Sequence, residues 1–249
     1  MSHSATAAGI AQARSAGVPA VGIIIPTYNE ADSIRRLLRY LQQHGAKASN
    51  IVVVDGGSTD ATPQVALAEG ATVLHSPRKG RAAQMNYGAS HTQASLLYFL
   101  HADSYPPPGF LPDLARAVDQ GYGSGCYRLA FDHPHWLLRF SGWCTRLPFT
   151  VFRFGDQSLF VTRELFEQVG GFREDLLLLE DQDMVSRLRA RAPFGLLPGT
   201  VTTSARKYLE NGVVRLQTIF TGIVLLYWLG VPQQRLVQLY RRLIRQGKV

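Results

Sequence analysis

Four short apolar runs dominate the first hundred residues, the first three rich in β-branched side chains and each stopped by polar or turn-forming residues. They are VGIII (21–25) before Pro26, IVVVD (51–55) before Gly-Gly-Ser-Thr-Asp, ATVLH (71–75), and LLYFLHAD (96–103). The first, second and fourth predict strands buried on both faces of a parallel sheet, and ATVLH predicts a further strand. Between the first two, Ile34, Leu37, Leu38 and Leu41 repeat at helical spacing, with Arg35, Arg36 and Arg39 on the opposite face. Further helices are expected at about 59–69 and 80–91. Strands alternating with helices every 20–30 residues predict crossover units on a parallel sheet. Ligands of such sheets sit outside the carboxyl ends of the strands. Pro26-Thr27-Tyr28, Asp55-Gly56-Gly57 and His101-Ala102-Asp103 are therefore expected at one edge, beside Lys79-Gly80-Arg81 at a helix start.

Beyond Pro106-Pro107-Pro108 the pattern is less regular. A helix is expected at 111–120 and a strand at 122–131, whose extra glycines suggest a bulge. An aromatic-rich helix (135–147), a strand near Leu159–Val161, the helix RELFEQVGGF, a loop or strand ending at Glu180-Asp181, and a helix at 181–190 follow. Two amphipathic helices, about 209–229 and 232–246, close the chain. The expected organisation is a flexible tail over 1–18, one α/β domain over 19–206, and a helical extension over 207–249 packed on the domain or on a second copy in a homodimer.

Of 26 basic residues 22 are Arg, and the net charge is +8, which suits a polyanionic partner. No helix-turn-helix, RRM or zinc-finger pattern is present, so a nucleic-acid partner is not expected, and a non-catalytic binder of nucleotide or nucleic acid is the rival reading from another class. The longest weakly polar run, Ile219–Val231, is 13 residues, where a bilayer span needs about 20. The basic stretch after it leaves an interfacial anchor open, with peripheral membrane contact through the C-terminal helices. Cys126 and Cys144 read as free thiols in a reducing compartment. The N-terminus lacks the charged start and apolar core of a signal peptide. A cytoplasmic location is expected, at the inner face of the membrane in the anchored version.

Several positions could carry chemistry. Thr27, Tyr28 and Glu30 either line a ligand or form a simple capping box. Asp55 ends a buried strand before two glycines that admit a ligand close to the backbone, the alternative being a plain turn with Ser58 or Asp60 as a helix cap. Lys79 and Arg81 flank a helix start suited to phosphate. Neither a Walker A loop nor G-x-G-x-x-G occurs, which disfavours ATP hydrolysis and a Rossmann dinucleotide site. Asp103 emerges from an apolar strand where a divalent cation on a diphosphate would need a carboxylate; otherwise it forms a turn. His101, His133 and His135 are further candidate ligands. Glu180, Asp181 and Asp183 crowd three carboxylates after four leucines, which suits a general base or an acidic helix start.

Together, PTYNE, VDGGSTD, KGRAAQMN, LHADS, GDQSLFVTRELFEQVGGF, LEDQDMVSRLR and TTSARKY resemble glycosyltransferase family 2, from about Val21 to Ala205. Within it they are most similar to the rSAM/selenodomain-associated transferase 2 group, also labelled arsenosugar biosynthesis glycosyltransferase. The resemblance implies a GT-A nucleotide-diphospho-sugar transferase fold: α/β, a mostly parallel central sheet flanked by helices, and a C-terminal helical pair. It implies non-processive, inverting transfer from a nucleotide-sugar, UDP-linked by preference, to a hydroxyl of a small acceptor. A polyprenyl phosphate or lipid at the membrane surface is the alternative acceptor. Pro26, Thr27, Tyr28, Glu30, Asp55, Gly56 and Ala102 would then line the donor site, with Lys79, Gly80 and Arg81 beside the diphosphate. Asp103 would match the last carboxylate of the D-x-D that holds Mg2+ or Mn2+. Asp181, paired with Glu180, would match the base, and Asp156, Gln157 and Arg206 would face acceptor or sugar. Two departures stand out: His101 replaces the first D-x-D carboxylate, and the Q-x-x-R-W of processive synthases is absent.

Overall fold

The computed structural model describes residues 20–245; the tail expected over 1–18 lies outside them. In chain order the regular elements are β1 (Val21–Thr27), α1 (Ala31–Gln43), β2 (Ile51–Asp55), α2 (Thr62–Ala68), β3 (Thr72–His75), α3 (Arg81–Ser90), β4 (Leu96–Phe99), β5 (Ser104–Tyr105) and α4 (Phe110–Asp119). Then come β6 (Ser124–Phe131), α5 (Trp136–Cys144), β7 (Leu159–Thr162), α6 (Arg163–Gln168), α7 (Glu180–Arg189), β8 (Phe194–Thr203), α8 (Arg206–Asn211), α9 (Val213–Trp228) and α10 (Gln233–Leu243).

All eight strands form one sheet in the order β3-β2-β1-β4-β7-β6-β8-β5. The β3-β2-β1-β4 half is parallel, with Ile23 opposite Ile51 and Ile24 opposite Phe99. β7 runs antiparallel to both β4 and β6, and β8 returns parallel to β6. Successive side chains of β1 go to opposite faces, as the two-residue strand period requires. Ile23 and Ile25 join Leu37, Leu41, Phe110 and Leu114 in one core layer, whereas Ile24 joins Met85, Phe99, Leu165, Met184 and Leu188 in the other. Every one of these side chains is buried, which is why the runs carry no polar residue.

Four expectations need correction. The fourth strand stops at Phe99 rather than 103: the Leu100 amide still donates to the Ile24 carbonyl, but the Ser104 amide turns back onto His101 O at 3.1 Å. His101-Ala102-Asp103 is thus a turn released from the ladder. β8 is a strand where none was expected. Its Gly195, Pro198 and Gly199 hide the pattern, and Pro198 is exposed at an irregularity in the ladder. The bulge expected in β6 falls on β8 instead, since two residue steps of β6 (Cys126 to Arg128) face four of β8 (Leu196 to Thr200). Finally, the first C-terminal helix is split at Gly212, whose φ of +81° suits glycine.

The C-terminal helices bury part of their apolar surface against each other, with Val214, Leu225, Trp228 and Leu229 left exposed. Leu216 and Ile223 of α9 meet Leu236, Val237 and Tyr240 of α10 around Leu178. Gln233 holds the backbone of Leu178 from both sides, accepting from its amide and donating to its carbonyl. Among the described residues no helix is long and apolar enough to cross a membrane.

Candidate active site

The carboxyl ends of β1 and β2 are laced together by the loops that follow them. Buried Gln84 donates to Thr27 O at 2.8 Å and to Val54 O at 2.7 Å, bridging the two strand ends. The amides of Asn29, Glu30 and Ala31, which open α1, donate to Ser58 Oγ, Thr62 Oγ1 and Asp60 Oδ2. No side chain of α1's own start caps it, so the Thr27–Glu30 capping box does not form; Ser58 serves α1, and Asp60 serves both α1 and its own helix, where it accepts the Thr62 amide at 3.0 Å. Asp55 is buried, and its carboxylate accepts from the Gly57 and Ser58 amides at 3.0 Å and from the Ser58 hydroxyl. It shapes the loop, with Gly56 donating to Thr27 O, and Tyr28 stands exposed at the rim. Pro26 and Ala102 are buried beside it, while Lys79 is solvent-exposed next to Gly80.

The turn after β4 meets a second turn, 155–157, that precedes β7. His101 Nδ1 lies 2.9 Å from Asp156 Oδ1. Burial opposes charge on the imidazole, but the hydrogen bond and charge of Asp156 overcome it and raise the pKa above the ordinary histidine value. Burial would likewise raise Asp156, yet His101, backed by Arg81 and Lys207, holds it below the usual carboxylate value. Each of the two therefore favours the charged form of the other. Asp103 is shifted the other way: burial and then the charge of Asp156 raise its pKa.

Gly155 seats the third member of this corner. A Cβ on it would lie 2.3 Å from Asp181 Oδ2 and 2.7 Å from His101 Cε1, so only glycine lets these groups come together over its α-carbon. Asp181 sits in the first turn of α7, where the helix dipole suits a carboxylate. Its neighbour Glu180 is buried at 1% exposure, with Arg81 Nε 2.8 Å from Oε1. Burial drives the Glu180 carboxyl up to about 7, against the pull of Arg81. Arg81 is shifted upward by Glu180 first, with smaller contributions from Asp181 and Asp156. A small cavity beneath is lined by His101, Gly155 and Asp181 together with Met85, Phe99 and Leu159.

Three non-glycine residues adopt positive φ among the described residues: Asn29, Ser158 and Leu179. Ser158 and Leu179 adjoin this corner in the chain, after Gln157 and before Glu180, and Asn29 follows Tyr28 in the loop bonded to Ser58 and Thr59. Left-handed backbone at such residues costs energy and gathers where a site must be held. Across the opening Arg206 reaches Glu30 at 3.1 Å and also feels Asp103, while Lys207 bonds the Tyr240 hydroxyl and faces the Phe220 ring.

Asp103, Asp156, Glu180, Asp181, Arg81 and Arg206 thus converge from five segments. Gln157 does not: it is fully buried, accepting from the Phe154 amide and donating to Tyr127 O, which corrects the expectation that it faces sugar or acceptor. His133 and His135 are taken up in local turns, each accepting a backbone amide near the start of α5. Gly155 and Lys207 were missed as members of the site; the Gly-Asp-Gln and Ala-Arg-Lys-Tyr runs were visible, but contacts across the fold were not. Among the described residues no three His, Cys, Asp or Glu side chains form a preformed cage. The donor chemistry nevertheless suits a hard cation, which commonly takes one or two carboxylates and completes its shell with substrate phosphate and water. Asp103, crowded by Asp156 and raised in pKa, is the carboxylate such an ion would relieve.

A family model for glycosyl transferase family 2 matches residues 22–161. An undecaprenyl-phosphate 4-deoxy-4-formamido-L-arabinose transferase of Edwardsiella ictaluri is 34% identical over 113 residues, covering 41% of this chain and 34% of that protein. The chain thus spans about a third of the length of that curated relative. Among solved structures, a mannosyltransferase of Pyrobaculum calidifontis in complex with GDP-Man and Mn2+ superposes with a TM-score of 0.64 at 22% identity, covering 94% of this chain and 66% of that one. Glucosyl-3-phosphoglycerate synthase of Mycobacterium tuberculosis, in complex with Mn2+, UDP-Glc and phosphoglyceric acid, gives a TM-score of 0.56 at 20% identity, covering 86% and 81%. At these identities the structural likeness speaks for the fold, a GT-A sheet with flanking helices.

Proposed function

The chain belongs to glycosyl transferase family 2, and on that premise we propose that it moves a sugar from a nucleotide-sugar, UDP-linked by preference, to a hydroxyl of a small acceptor in one inverting addition. The observation that carries this reading is the meeting of Asp181 and His101 over Gly155, with Asp156 bonded to that histidine. A carboxylate there has an open side chain beside a cationic group and an apolar floor, the arrangement a general base for a hydroxyl needs.

The acceptor oxygen attacks the anomeric carbon while the bond from that carbon to the diphosphate oxygen breaks. The hydroxyl proton passes to Asp181, and the electron pair of the broken bond leaves on the nucleoside diphosphate. Pro26, Thr27, Tyr28, Glu30, Gly56 and Ala102 line the nucleoside end, with Asp55 acting through the loop it holds. Lys79, Gly80 and Arg81 face the diphosphate, and the buried Glu180 orients Arg81 rather than touching acceptor. Asp103, with Asp156 beside it, would hold Mg2+ or Mn2+, an ion whose chemistry when bound is Lewis-acid stabilisation of the leaving diphosphate. Arg206 borders the acceptor side.

Within the family, the motif run supports the rSAM/selenodomain-associated transferase 2 group. We read 19–206 as the transferase unit and 207–249 as its helical extension, working at the cytoplasmic side. The relative named for undecaprenyl phosphate supports a second reading, with a polyprenyl phosphate as acceptor. Its attacking oxygen is already deprotonated, so the two readings separate on the base. With a hydroxyl acceptor, Asp181→Asn lowers kcat by roughly 10²–10⁴-fold and leaves donor binding intact. Wild-type kcat in that variant would remove Asp181 from the mechanism, and loss confined to hydroxyl acceptors selects between the readings.

A further inference from the structure

Helix α5 is packed the wrong way round for a core helix. Its inward side carries Leu138 and Gly142, and Gly142 lies so close to β6 that a Cβ would come within 2.7 Å of Leu129 O. Its outward side carries the largest residues. Trp136, Phe140 and Trp143 stand at i, i+4 and i+7, hence on one stripe, and are 68%, 57% and 53% exposed. Phe149, in the loop that follows, is 59% exposed. A contiguous stripe of this kind on a surface marks a contact with something apolar.

The charge beside the stripe identifies what that is. From His133 to Gly155 the chain contains no Asp or Glu and three arginines. Arg153 is buried, donating to the Thr145 and Leu147 carbonyls, and so braces the loop. Arg139 and Arg146 are exposed on α5 and just after it, next to Phe140 and Trp143. We propose that this face docks on an anionic bilayer surface, with the Trp and Phe rings entering the headgroup–acyl boundary and the two arginines pairing with lipid phosphates. Aromatic residues interleaved with cations, on a stretch of chain without acidic residues between Asp132 and Asp156, match the chemistry of that boundary. A second copy fits less well, because a two-fold contact through this patch would set Arg139 and Arg146 against their own equivalents.

The surface is distinct in the chain from the C-terminal helices, where Leu216, Ile223, Leu236 and Val237 pack together and Val214, Leu225, Trp228 and Leu229 remain exposed. It is continuous in sequence with the active site, since the braced loop ends at Gly155 and Asp156. Docking would therefore hold the acceptor side of the site near the membrane plane, whichever acceptor is used.

The full-length chain is tested by co-sedimentation with vesicles of mixed phosphatidylglycerol and phosphatidylcholine, and with phosphatidylcholine alone. Binding to the mixed vesicles, weakened by salt and accompanied by a blue shift of Trp emission, is expected. The triple variant W136S/F140S/W143S should lose roughly tenfold or more of that binding, and R139Q/R146Q should lose the preference for phosphatidylglycerol. All five side chains are exposed, so melting temperature and Mn2+-dependent UDP binding should match wild type, which keeps this test separate from that of the transferase reading. No sedimentation of the wild type, undiminished binding of the triple variant, or a vesicle-free dimer that the triple variant dissolves would each overturn the proposal.

Discussion

Replacing Gly155 by alanine adds one methyl group at the point where the proposed chemistry is densest. Gly155 does not adopt a positive φ, so alanine fits its backbone and any effect comes from the Cβ. That carbon would lie 2.3 Å from Asp181 Oδ2, 2.8 Å from Asp181 Cγ and 2.7 Å from His101 Cε1. Ordinary contact begins near 3.4 Å, so the carboxylate must retreat by about 1 Å. His101 has little room to yield, because its Nδ1 is fixed to Asp156 at 2.9 Å. Overpacking of one methyl costs about 1–3 kcal/mol, part of which a swing of the Asp181 side chain relieves. A misplacement of about 1 Å costs on the order of 10² in rate. The assay is initial-rate release of nucleoside diphosphate, alongside thermal unfolding and donor affinity. Gly155→Ala should fold, bind donor as wild type does, and turn over about a hundredfold more slowly. A folded variant with wild-type turnover would refute the placement of the reaction at this corner.

Other perturbations test the supports of the site. Glu180, raised to about 7, keeps a proton in the native chain that the unfolded chain loses near the ordinary glutamate value of 4.5. Its contribution to stability therefore falls as pH rises from about 4.5 to 7 and stays low above. Glu180→Gln should gain roughly 1–3 kcal/mol on wild type between pH 4.5 and pH 8, read by urea unfolding across pH; a pH-independent difference contradicts the shift. Gln84→Ala removes one donor from each of the Thr27 and Val54 carbonyls, which keep the Gly56 amide and the Thr27 hydroxyl, and should cost about 0.5–1.5 kcal/mol per lost bond, measured the same way, with no change meaning that water replaces the amide. Thr62→Val removes the hydroxyl that accepts from the Glu30 amide and should cost about 0.5–2 kcal/mol; an unchanged denaturation midpoint would show that this amide has another partner.

The parallel half of the sheet was legible because β1, β2 and β4 are buried on both faces, and their sequences carry that burial as unbroken apolar runs. β8 was not, since Gly195, Pro198 and Gly199 imitate a turn while the backbone still pairs with β6. At the site, sequence reasoning found Asp103, Asp156, Glu180, Asp181, Arg81 and Arg206, which the fold gathers. Their individual orientations were outside its reach. Whether an amide or carboxylate faces the pocket depends on which backbone groups lie opposite: Gln157 meets Tyr127 O and turns inward, and Asp55 meets the amides of its own loop. Gly155 carries no chemistry in its side chain, and only the approach of Asp181 and His101 reveals its part.

The account stands or falls on a donor and a divalent ion sharing one pocket with Asp103. Calorimetric titration of UDP and UDP-sugars into wild type and Asp103→Asn, with Mn2+ and then with EDTA, measures this directly. The account predicts binding that needs the ion in the wild type and loses most of that dependence in the variant. Equal affinity in all four conditions, or no binding in any, would contradict it.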